Sequence, residues 1–315
     1  MRAAYYDTFG GPENIQVGER PGPAPDAEHM LVRTQAAGVG IWDLGIMAGL
    51  FGQVSLPRIP GAEVAGTVEV AADGFRVGDR VFGSLWYPGD AGIPDPRGGF
   101  AELAAVRADS AAAMPDGIDF SEAAGLVISA STAYEGLIDR ANLQPGETVL
   151  VTAASGGVGS AAVQIASSAG ARVVAVSGAP DRDYLRDLGA ETTVDYHAPD
   201  FVEQLRRAAT TGFDVLFDAT GNEVRDQVLT LVRKGGRAIL IAIGAQPSPD
   251  ADGVEIQSFG ATVNSGRLQA VAEIVSAGKL RMPIQAEFPL KQAREALEHV
   301  GERRGRGRVV LQIGD

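Results

Sequence analysis

One stretch of the chain, residues 148–176, restricts its possible folds more than any other. Thr148 to Thr152 is a short apolar run with β-branched residues, which is typical of a buried parallel strand. A glycine-containing turn follows, then a helical run of small residues at 160–169 and a second β-branched run at 172–176. Strand, turn, helix and strand within about 30 residues make one βαβ unit. The stretch therefore predicts a parallel sheet covered by helices.

The turn of this unit, residues 153–159, has the sequence AASGGVG. Gly156 and Gly157 lack a Cβ, so the backbone can turn tightly and a pyrophosphate can approach it. Gly159 lets the helix pack closely on the strand, and free N–H groups at the helix start face the phosphates. The pattern predicts a dinucleotide site, with a purely structural turn as the alternative. The residues expected at the phosphates are Ser155, Gly156, Gly157, Val158 and Gly159.

The composition limits the class of protein and its partners. A length of 315 residues predicts about two domains, and no apolar run approaches the roughly 18 residues of a membrane span. The chain has no cysteine, which excludes disulfides, a thiolate nucleophile and cysteine-based zinc sites. Its net charge of −13 argues against nucleic acid and anionic membranes as partners. The first residues lack the apolar stretch of a signal peptide, so the expected location is cytoplasmic.

Hydrophobic patterning changes twice along the chain. Residues 1–115 contain short alternating runs separated by glycine and proline clusters, which predicts a compact, partly open β-barrel. From Ser121 the pattern becomes helical, strand and helix patterns then alternate, and the C-terminal residues return to β patterning. We therefore expect residues 125–266 to form a doubly wound domain inserted into a first domain, which comprises 1–124 and 267–315.

Several motifs occur in the order found in one family. They are AAGVGIWD at 36–43, PGAEVAGTV at 60–68, VGDRVFG at 77–83, GGFAEL at 98–103, TAYEGL at 132–137, DYLRDLGAE at 183–191, FDVLFDATG at 213–221, KGGRAILI at 234–241 and GRVVL at 307–311. With these motifs and the glycine turn, the chain resembles the medium-chain dehydrogenase/reductase superfamily, in its zinc-free quinone oxidoreductase branch.

The resemblance implies a fold and an activity. The fold class is α/β, with a GroES-like β-barrel catalytic domain, a Rossmann doubly wound parallel sheet, and NADPH in a cleft between them. The activity is reduction of quinones or of carbon–carbon double bonds conjugated to a carbonyl, usually by a homodimer. The implied partner is a small-molecule quinone or enone. Two alternatives stay open: an enoyl reductase or tailoring enzyme of a biosynthetic pathway, and a protein that binds NADPH without redox chemistry.

Two departures from the family pattern concern the catalytic domain. Zinc-dependent relatives carry His in the second motif where this chain has Ala62, so no catalytic zinc is expected. Quinone reductases usually have Asn where this chain has Gly40, and tyrosines common further along are replaced by Gly45 and Phe51. We therefore expect an apolar and open substrate side. Aromatic loop residues can stack on a flat substrate, with core packing as the alternative; the predicted pocket comprises Gly40, Trp42, Phe51 and Trp86.

The residues after the second Rossmann strand indicate which nicotinamide cofactor binds. NAD-dependent proteins place an acid there for the ribose diol, whereas this chain has Ser177 and Gly178 and no acid before Asp181. These small groups leave room for a 2′-phosphate, and the guanidinium of Arg182 suits its geometry. By resemblance, Tyr196 stacks near the same phosphate. NADPH is therefore the expected cofactor; the alternatives make Arg182 a surface residue and Tyr196 a packing residue.

The nicotinamide side is predicted after the strand 214–218, because doubly wound sheets bind ligands at the carboxyl ends of their strands. By resemblance, Thr220 and Gly221 contact this part of the cofactor. Thr132 matches a cofactor-side threonine of the family, with a hydroxyl bonded to its own helix backbone as the alternative. The other residues expected in this wall are Ile243, Gly244, Val263 and Asn264.

Catalysis by such a chain needs few side chains, because positioning of the cofactor provides most of the rate. Two residues are nevertheless candidates for catalysis. Asp43 matches a family aspartate of the cleft, and its alternative role is a helix cap or a structural hydrogen bond. Tyr87 or solvent is expected to supply the proton that follows hydride transfer.

Overall fold

This computed structural model describes residues 1–24, 26–51, 55–86, 97–242, 250–302 and 305–314. The chain divides into two compact units. The first unit comprises residues 1–131 and 262–315, and the second comprises residues 132–261. The domain expected from the sequence, 125–266, extends a few residues further at each end than the second unit.

The elements are numbered along the chain. The strands are β1 (Arg2–Tyr5), β2 (Gln16–Glu19), β3 (His29–Val39), β4 (Glu63–Val70), β5 (Arg80–Ser84), β6 (Leu103–Arg107), β7 (Ala111–Ala113), β8 (Thr148–Val151), β9 (Arg172–Ser177), β10 (Thr192–Asp195), β11 (Phe213–Asp218), β12 (Val232–Leu240), β13 (Glu255–Ser258), β14 (Ile284–Pro289) and β15 (Arg308–Gln312). The α-helices are α1 (Ile41–Met47), α2 (Phe120–Tyr134), α3 (Gly157–Ser168), α4 (Arg182–Asp187), α5 (Phe201–Ala208), α6 (Asn222–Leu229), α7 (Ser265–Ser276) and α8 (Ala293–Gly301). None of the helices in the described ranges is both long and apolar enough to cross a membrane.

The first unit is built on a mainly antiparallel sheet. Its strand order is β14-β15-β3-β4-β5-β7, and β6 also pairs with β3. The long strand β3 pairs with β15, β4 and β6 along different parts of its length. The buried core of this unit includes Tyr6, Met30, Val64, Phe100 and Leu311. The predicted GroES-like β-barrel is confirmed.

The second unit is a doubly wound parallel sheet. Its strands are ordered β10-β9-β8-β11-β12-β13, and neighbouring strands run parallel. The central strands are continuous apolar runs because helices cover both faces of such a sheet, and Leu150, Val174 and Leu216 are buried in its core. The strand order reverses between β8 and β11, which is the switch point where ligands bind. The predicted Rossmann sheet is confirmed.

Two details of this sheet differ from the sequence patterns. Gly235 and Gly236, a residue type that usually weakens or interrupts a strand, lie inside β12, where Gly235 has φ 76° and the register with β11 shifts. The edge strand β13 has no counterpart among the strands expected from the sequence. Its residues EIQS are mostly polar and partly exposed, because one side of an edge strand lacks a neighbour, so no apolar run marks it.

Candidate functional site

The loop between β8 and α3 forms the centre of the candidate site. The helix begins at Gly157 with Gly156 as its N-cap, and no side chain caps it. Ser160 is the first residue whose N–H donates within the helix, to Gly156 O at 2.8 Å. The N–H groups of the preceding first turn have no intrahelical acceptor and lie at the positive end of the helix dipole, where an anion binds. Ser155 and Val158, also expected at the phosphates, are half-buried in this loop.

Two glycines of the loop have different structural roles. A Cβ on Gly159 would clash with the carbonyl oxygen of Ala153 and lie 2.8 Å from Ala154 Cα, so only glycine allows this close approach of helix and loop. A Cβ on Gly156 would meet no atom nearer than 3.5 Å, the Ala153 oxygen. Gly156 therefore leaves open space beside the free N–H groups, which is what an approaching pyrophosphate requires.

The tight turn itself is made by an alanine. Ala153 has φ 47°, in the left-handed region, whereas Gly156 has φ −72° and Gly157 is not among the residues with positive φ. The expectation that Gly156 and Gly157 are needed for the turn is therefore wrong, because their backbone conformations suit any residue. What Gly156 contributes is the missing Cβ.

Replacing Ala153 by glycine should stabilise the protein by about 1 kcal/mol. The left-handed conformation costs an alanine roughly 1–2 kcal/mol, and this cost disappears with glycine. Part of the gain is lost because glycine raises the conformational entropy of the unfolded chain. The free energy of unfolding in urea measures this effect. Ala154→Gly is the matched control: Ala154 is buried and has no positive φ, so its replacement should destabilise. Equal destabilisation by both changes would contradict the assignment of strain to Ala153.

The carboxyl ends of β9 and β10 lie side by side next to this loop. Tyr196 follows β10, is 44% exposed, and donates its N–H to Ser177 O at 3.2 Å. Its ring lies against that of His197, tilted by 37°, with centroids 4.0 Å apart. Gly178 follows Ser177, and the exposed Arg182 begins α4; no ion pair among the described residues includes it. The structure thus brings Ser177 and Tyr196 together and leaves Arg182 available to an anion.

A buried carboxylate occupies the switch point of the sheet. Asp218 ends β11, is fully buried, and its Oδ1 accepts the hydroxyls of Thr152 and Thr220, each at 2.6 Å. Its Oδ2 accepts the Gly221 N–H at 2.8 Å, and the Thr152 hydroxyl accepts the Ala219 N–H at 3.0 Å. Thr220 and Gly221 were predicted site residues, whereas Thr152 and Asp218 were not. The signal available in the sequence was an aspartate directly after an apolar strand.

Three other residues expected on the nicotinamide side have identifiable surroundings. Thr132 is buried in α2, and Val263 is buried just before α7. The Asn264 side chain caps α7, where its Oδ1 accepts the Arg267 N–H at 2.9 Å, so that oxygen already has a structural partner. Ile243 and Gly244 lie outside the described residues.

Of the two predicted catalytic residues, the structure describes Asp43. The Asp43 side chain is almost completely buried in α1 and accepts the N–H groups of Gly40 at 2.9 Å and Gly61 at 3.1 Å. Burial raises the pKa of Asp43 to about 6, although both hydrogen bonds and two arginines oppose this shift. This is the geometry of the alternative role, a structural acceptor that holds the start of α1. Tyr87 lies outside the described residues.

The space beside Gly40 is filled by Trp42. A Cβ on Gly40 would lie 2.5 Å from Trp42 Cδ2 and still closer to other indole atoms. The indole is 6% exposed, and the Arg308 guanidinium stands 4.8 Å from its ring centroid. The expected opening of the substrate side at Gly40 is therefore wrong, because the indole occupies the volume of the missing side chain. Trp42 packs in the core rather than presenting an open stacking surface.

A second aromatic residue covers Gly45 in the same way. A Cβ there would lie 2.8 Å from Phe51 Cε2. Phe51 in turn meets Trp86 edge to face, with ring centroids 5.9 Å apart, and both rings are half-buried. These two members of the predicted pocket are therefore neighbours, and their partial exposure leaves them available to an apolar ligand.

The first unit also contains a buried ion pair. Glu63 has no exposed surface, pairs with Arg308, and accepts the Ile128 N–H at 2.8 Å. Burial raises the pKa of Glu63 to about 7, because loss of hydration outweighs the favourable charge of Arg308. Glu63 follows Ala62 in the second family motif, and it was not among the predicted site residues.

Titration of Glu63 should lower stability as pH rises. Between its ordinary pKa of 4.5 and its folded value of about 7, the folded state holds one more proton than the unfolded chain. The contribution of Glu63 to the free energy of unfolding therefore falls with rising pH, by at most about 1.4 kcal/mol per pH unit.

The measurement compares urea denaturation of wild type and Glu63→Gln at several pH values from 4.5 to 8. Glutamine cannot titrate, so the wild-type free energy of unfolding minus that of the variant should fall across this range. Parallel pH profiles would contradict the assignment.

The fold and the loop between β8 and α3 together define a class of protein: two-domain oxidoreductases that use a nicotinamide cofactor. Comparison with known families agrees. Residues 26–116 match the alcohol dehydrogenase GroES-like domain, and residues 157–276 match the family described as zinc-binding dehydrogenase.

Individual relatives match over nearly the whole chain. Quinone oxidoreductase from Pongo abelii is 30% identical over 99% of this chain and 98% of its own length, and the human quinone oxidoreductase is 29% identical with the same coverage. Among solved structures, an NAD-dependent alcohol dehydrogenase is 30% identical with TM-score 0.91 and complete coverage of both chains. The quinone oxidoreductase of Coxiella burnetii is 25% identical with TM-score 0.87, over 100% of this chain and 99% of its own. The chain belongs to the medium-chain dehydrogenase/reductase superfamily.

Proposed function

We propose that this protein is an NADPH-dependent, zinc-free oxidoreductase that transfers hydride to a quinone or an α,β-unsaturated carbonyl and acts as a homodimer. The observation that carries the proposal is the full-length similarity to proteins named quinone oxidoreductase. The preference for NADPH is supported by the end of β9, where Ser177 and Gly178 stand in place of an acid and Arg182 is exposed.

The loop after β8 and the end of β9 fit the phosphates of a dinucleotide. The free N–H groups and open space at the start of α3 would hold the pyrophosphate, with Ser155 and Val158 beside it. Ser177, Gly178, Arg182 and Tyr196 would hold the 2′-phosphate, through a hydroxyl, a guanidinium and an exposed ring. The groups proposed for the nicotinamide side are Thr132, Thr220, Gly221, Ile243, Gly244, Val263 and Asn264.

When bound, the reduced nicotinamide would supply the hydride, and the chain would bind and orient the reactants. Asp43 is committed to two backbone N–H groups, so its proposed role is to hold α1 rather than to exchange protons. Tyr87 or water would deliver the proton to the reduced substrate. Phe51 and Trp86 would contact a flat substrate.

The test is NADPH oxidation with a panel of quinones, simple enones and enoyl thioesters, using Gly156→Val as a matched inactive control. Turnover of quinones or simple enones, lost in the control, supports the proposal. Turnover of enoyl thioesters alone favours an enoyl reductase of a biosynthetic pathway. NADPH binding without oxidation by any acceptor contradicts an oxidoreductase and favours a protein that binds the cofactor without redox chemistry.

Metal independence is a further expected result. The chain lacks cysteine, has Ala62 at the position of the zinc-ligand histidine, and within the described ranges shows no cluster of three potential ligands. Two of its histidines already have partners: His29 with Asp26 and His299 with Gln285, each at 2.7 Å. Elemental analysis should find no stoichiometric zinc, and a chelator should leave NADPH oxidation unchanged. One tightly held equivalent of zinc would refute this expectation.

A further inference from the structure

The hydroxyls of Thr152 and Thr220 each have one proton to donate, which limits the hydrogen bonds that they can offer to a ligand. Thr152 donates to Asp218 and accepts from the Ala219 N–H, so both of its functions are used within the protein. Thr220 also donates to Asp218. The two hydroxyl oxygens are 3.5 Å apart, much further than their 2.6 Å separations from Asp218, so both protons go to the carboxylate.

The Thr220 hydroxyl can therefore form a further hydrogen bond only as an acceptor. No N–H group of the described residues donates to its oxygen, and Thr220 is exposed at the carboxyl end of β11. Only a carboxylate produces this arrangement, because the neighbours of Asp218 are donors: two hydroxyls and the N–H groups of Thr220 and Gly221. An asparagine at this position would place an NH₂ group among donors.

We propose that Asp218 is a positioning residue that fixes the Thr220 hydroxyl as a hydrogen-bond acceptor for a donor group on the nicotinamide half of the cofactor. This inference rests on the proposed function. The nicotinamide half has two kinds of donor, the ribose hydroxyls and the carboxamide NH₂ group. A threonine fixed in advance binds such a donor without first losing rotational freedom. The same carboxylate connects the loop that starts α3 to the turn that starts α6.

The test measures dissociation constants by fluorescence and calorimetry for two ligands, NADPH and adenosine 2′,5′-bisphosphate. The second ligand contains the 2′-phosphate but no nicotinamide half. Thr220→Val should weaken NADPH binding about tenfold, the effect of losing one hydrogen bond, and should leave binding of the bisphosphate unchanged. A merely structural role for Thr220 would weaken both ligands alike.

Conservative and matched variants complete the experiment. Thr220→Ser keeps the hydroxyl and should restore NADPH affinity to within about threefold of wild type. Thr230→Val makes the same chemical change at an exposed residue whose hydroxyl bonds to Gln227 O at 2.7 Å, and should not alter binding. Asp218→Asn should weaken NADPH at least as much as Thr220→Val. If that variant does not fold, Asp218→Glu, which keeps the carboxylate but displaces it by one methylene, should weaken NADPH binding in its place. Thr220→Val still tests the hydroxyl itself, because its side chain is exposed.

A third ligand distinguishes the two donors. The reduced 3-acetylpyridine analogue of NADPH lacks the carboxamide NH₂ group. If Thr220→Val weakens NADPH but not this analogue, the donor is the carboxamide; if it weakens both, the donor is a ribose hydroxyl. Equal NADPH affinity of wild type and Thr220→Val overturns the inference. Failure of the wild type itself to bind NADPH instead refutes the proposed function.

Discussion

Replacing Gly156 by valine is expected to abolish NADPH binding while the protein stays folded. The backbone at Gly156, with φ −72° and ψ 176°, suits valine, and a Cβ there meets no protein atom nearer than 3.5 Å. The added methyl groups would occupy the open space beside the free N–H groups, where the pyrophosphate must approach. Fluorescence titration with NADPH and thermal unfolding of the same variant measure both parts of this prediction.

Gly159→Ala is the informative control for this prediction. Its Cβ would clash with the Ala153 carbonyl oxygen, so this change should lower the unfolding temperature, whereas Gly156→Val should not. A Gly156→Val variant that binds NADPH as tightly as wild type would show that the phosphates do not lie at this loop.

Replacing Arg182 by alanine should weaken NADPH binding roughly 10- to 150-fold, the equivalent of about 1.5–3 kcal/mol for a charge-assisted hydrogen bond. NADH lacks the 2′-phosphate, so its affinity should not change. The wild type should therefore prefer NADPH, and the variant should lose most of that preference. Dissociation constants of both cofactors for both proteins provide the measurement.

Arg186→Ala controls for the loss of a positive charge from the same helix. Arg186 is exposed on α4 and pairs with Asp183 at 3.5 Å, so its removal should leave the cofactor preference intact. Tighter binding of NADH than of NADPH by the wild type would refute the assignment of the 2′-phosphate to this part of the sheet.

The fold could be predicted from the sequence because its strongest elements are marked locally. The buried strands β8, β9 and β11 are continuous apolar runs, and the glycine turn separates β8 from its helix. The edge strand β13 could not be found in this way. Among the described strands it pairs only with β12, its residues are partly exposed, and three of its four residues are polar, so it contains no apolar run. A strand of that kind is determined by its neighbour rather than by its own pattern.

The site was predictable where one short segment forms it, and less so where distant segments meet. The glycine loop is a local motif. The bond between Thr152 and Asp218 joins residues 66 positions apart, so neither residue stands out in its own segment. The left-handed Ala153 gave no signal either, because alanine does not favour that conformation. The prediction of an opening at Gly40 was wrong for another reason: a glycine in the sequence does not show which neighbouring side chain fills the space beside it.

The contact between Trp42 and Gly40 restricts the order in which these two positions can change. Because the indole lies where a side chain on residue 40 would begin, asparagine at position 40 requires the Trp42 ring to leave its present position. The Arg308 guanidinium and the surrounding core leave the indole little freedom to move aside. We therefore expect a mutant library to tolerate asparagine at position 40 better once a smaller residue has replaced Trp42. Substitutions at positions 40 and 42 are therefore not independent of each other. A mutational scan of either position alone would miss pairs of residues that pack well together.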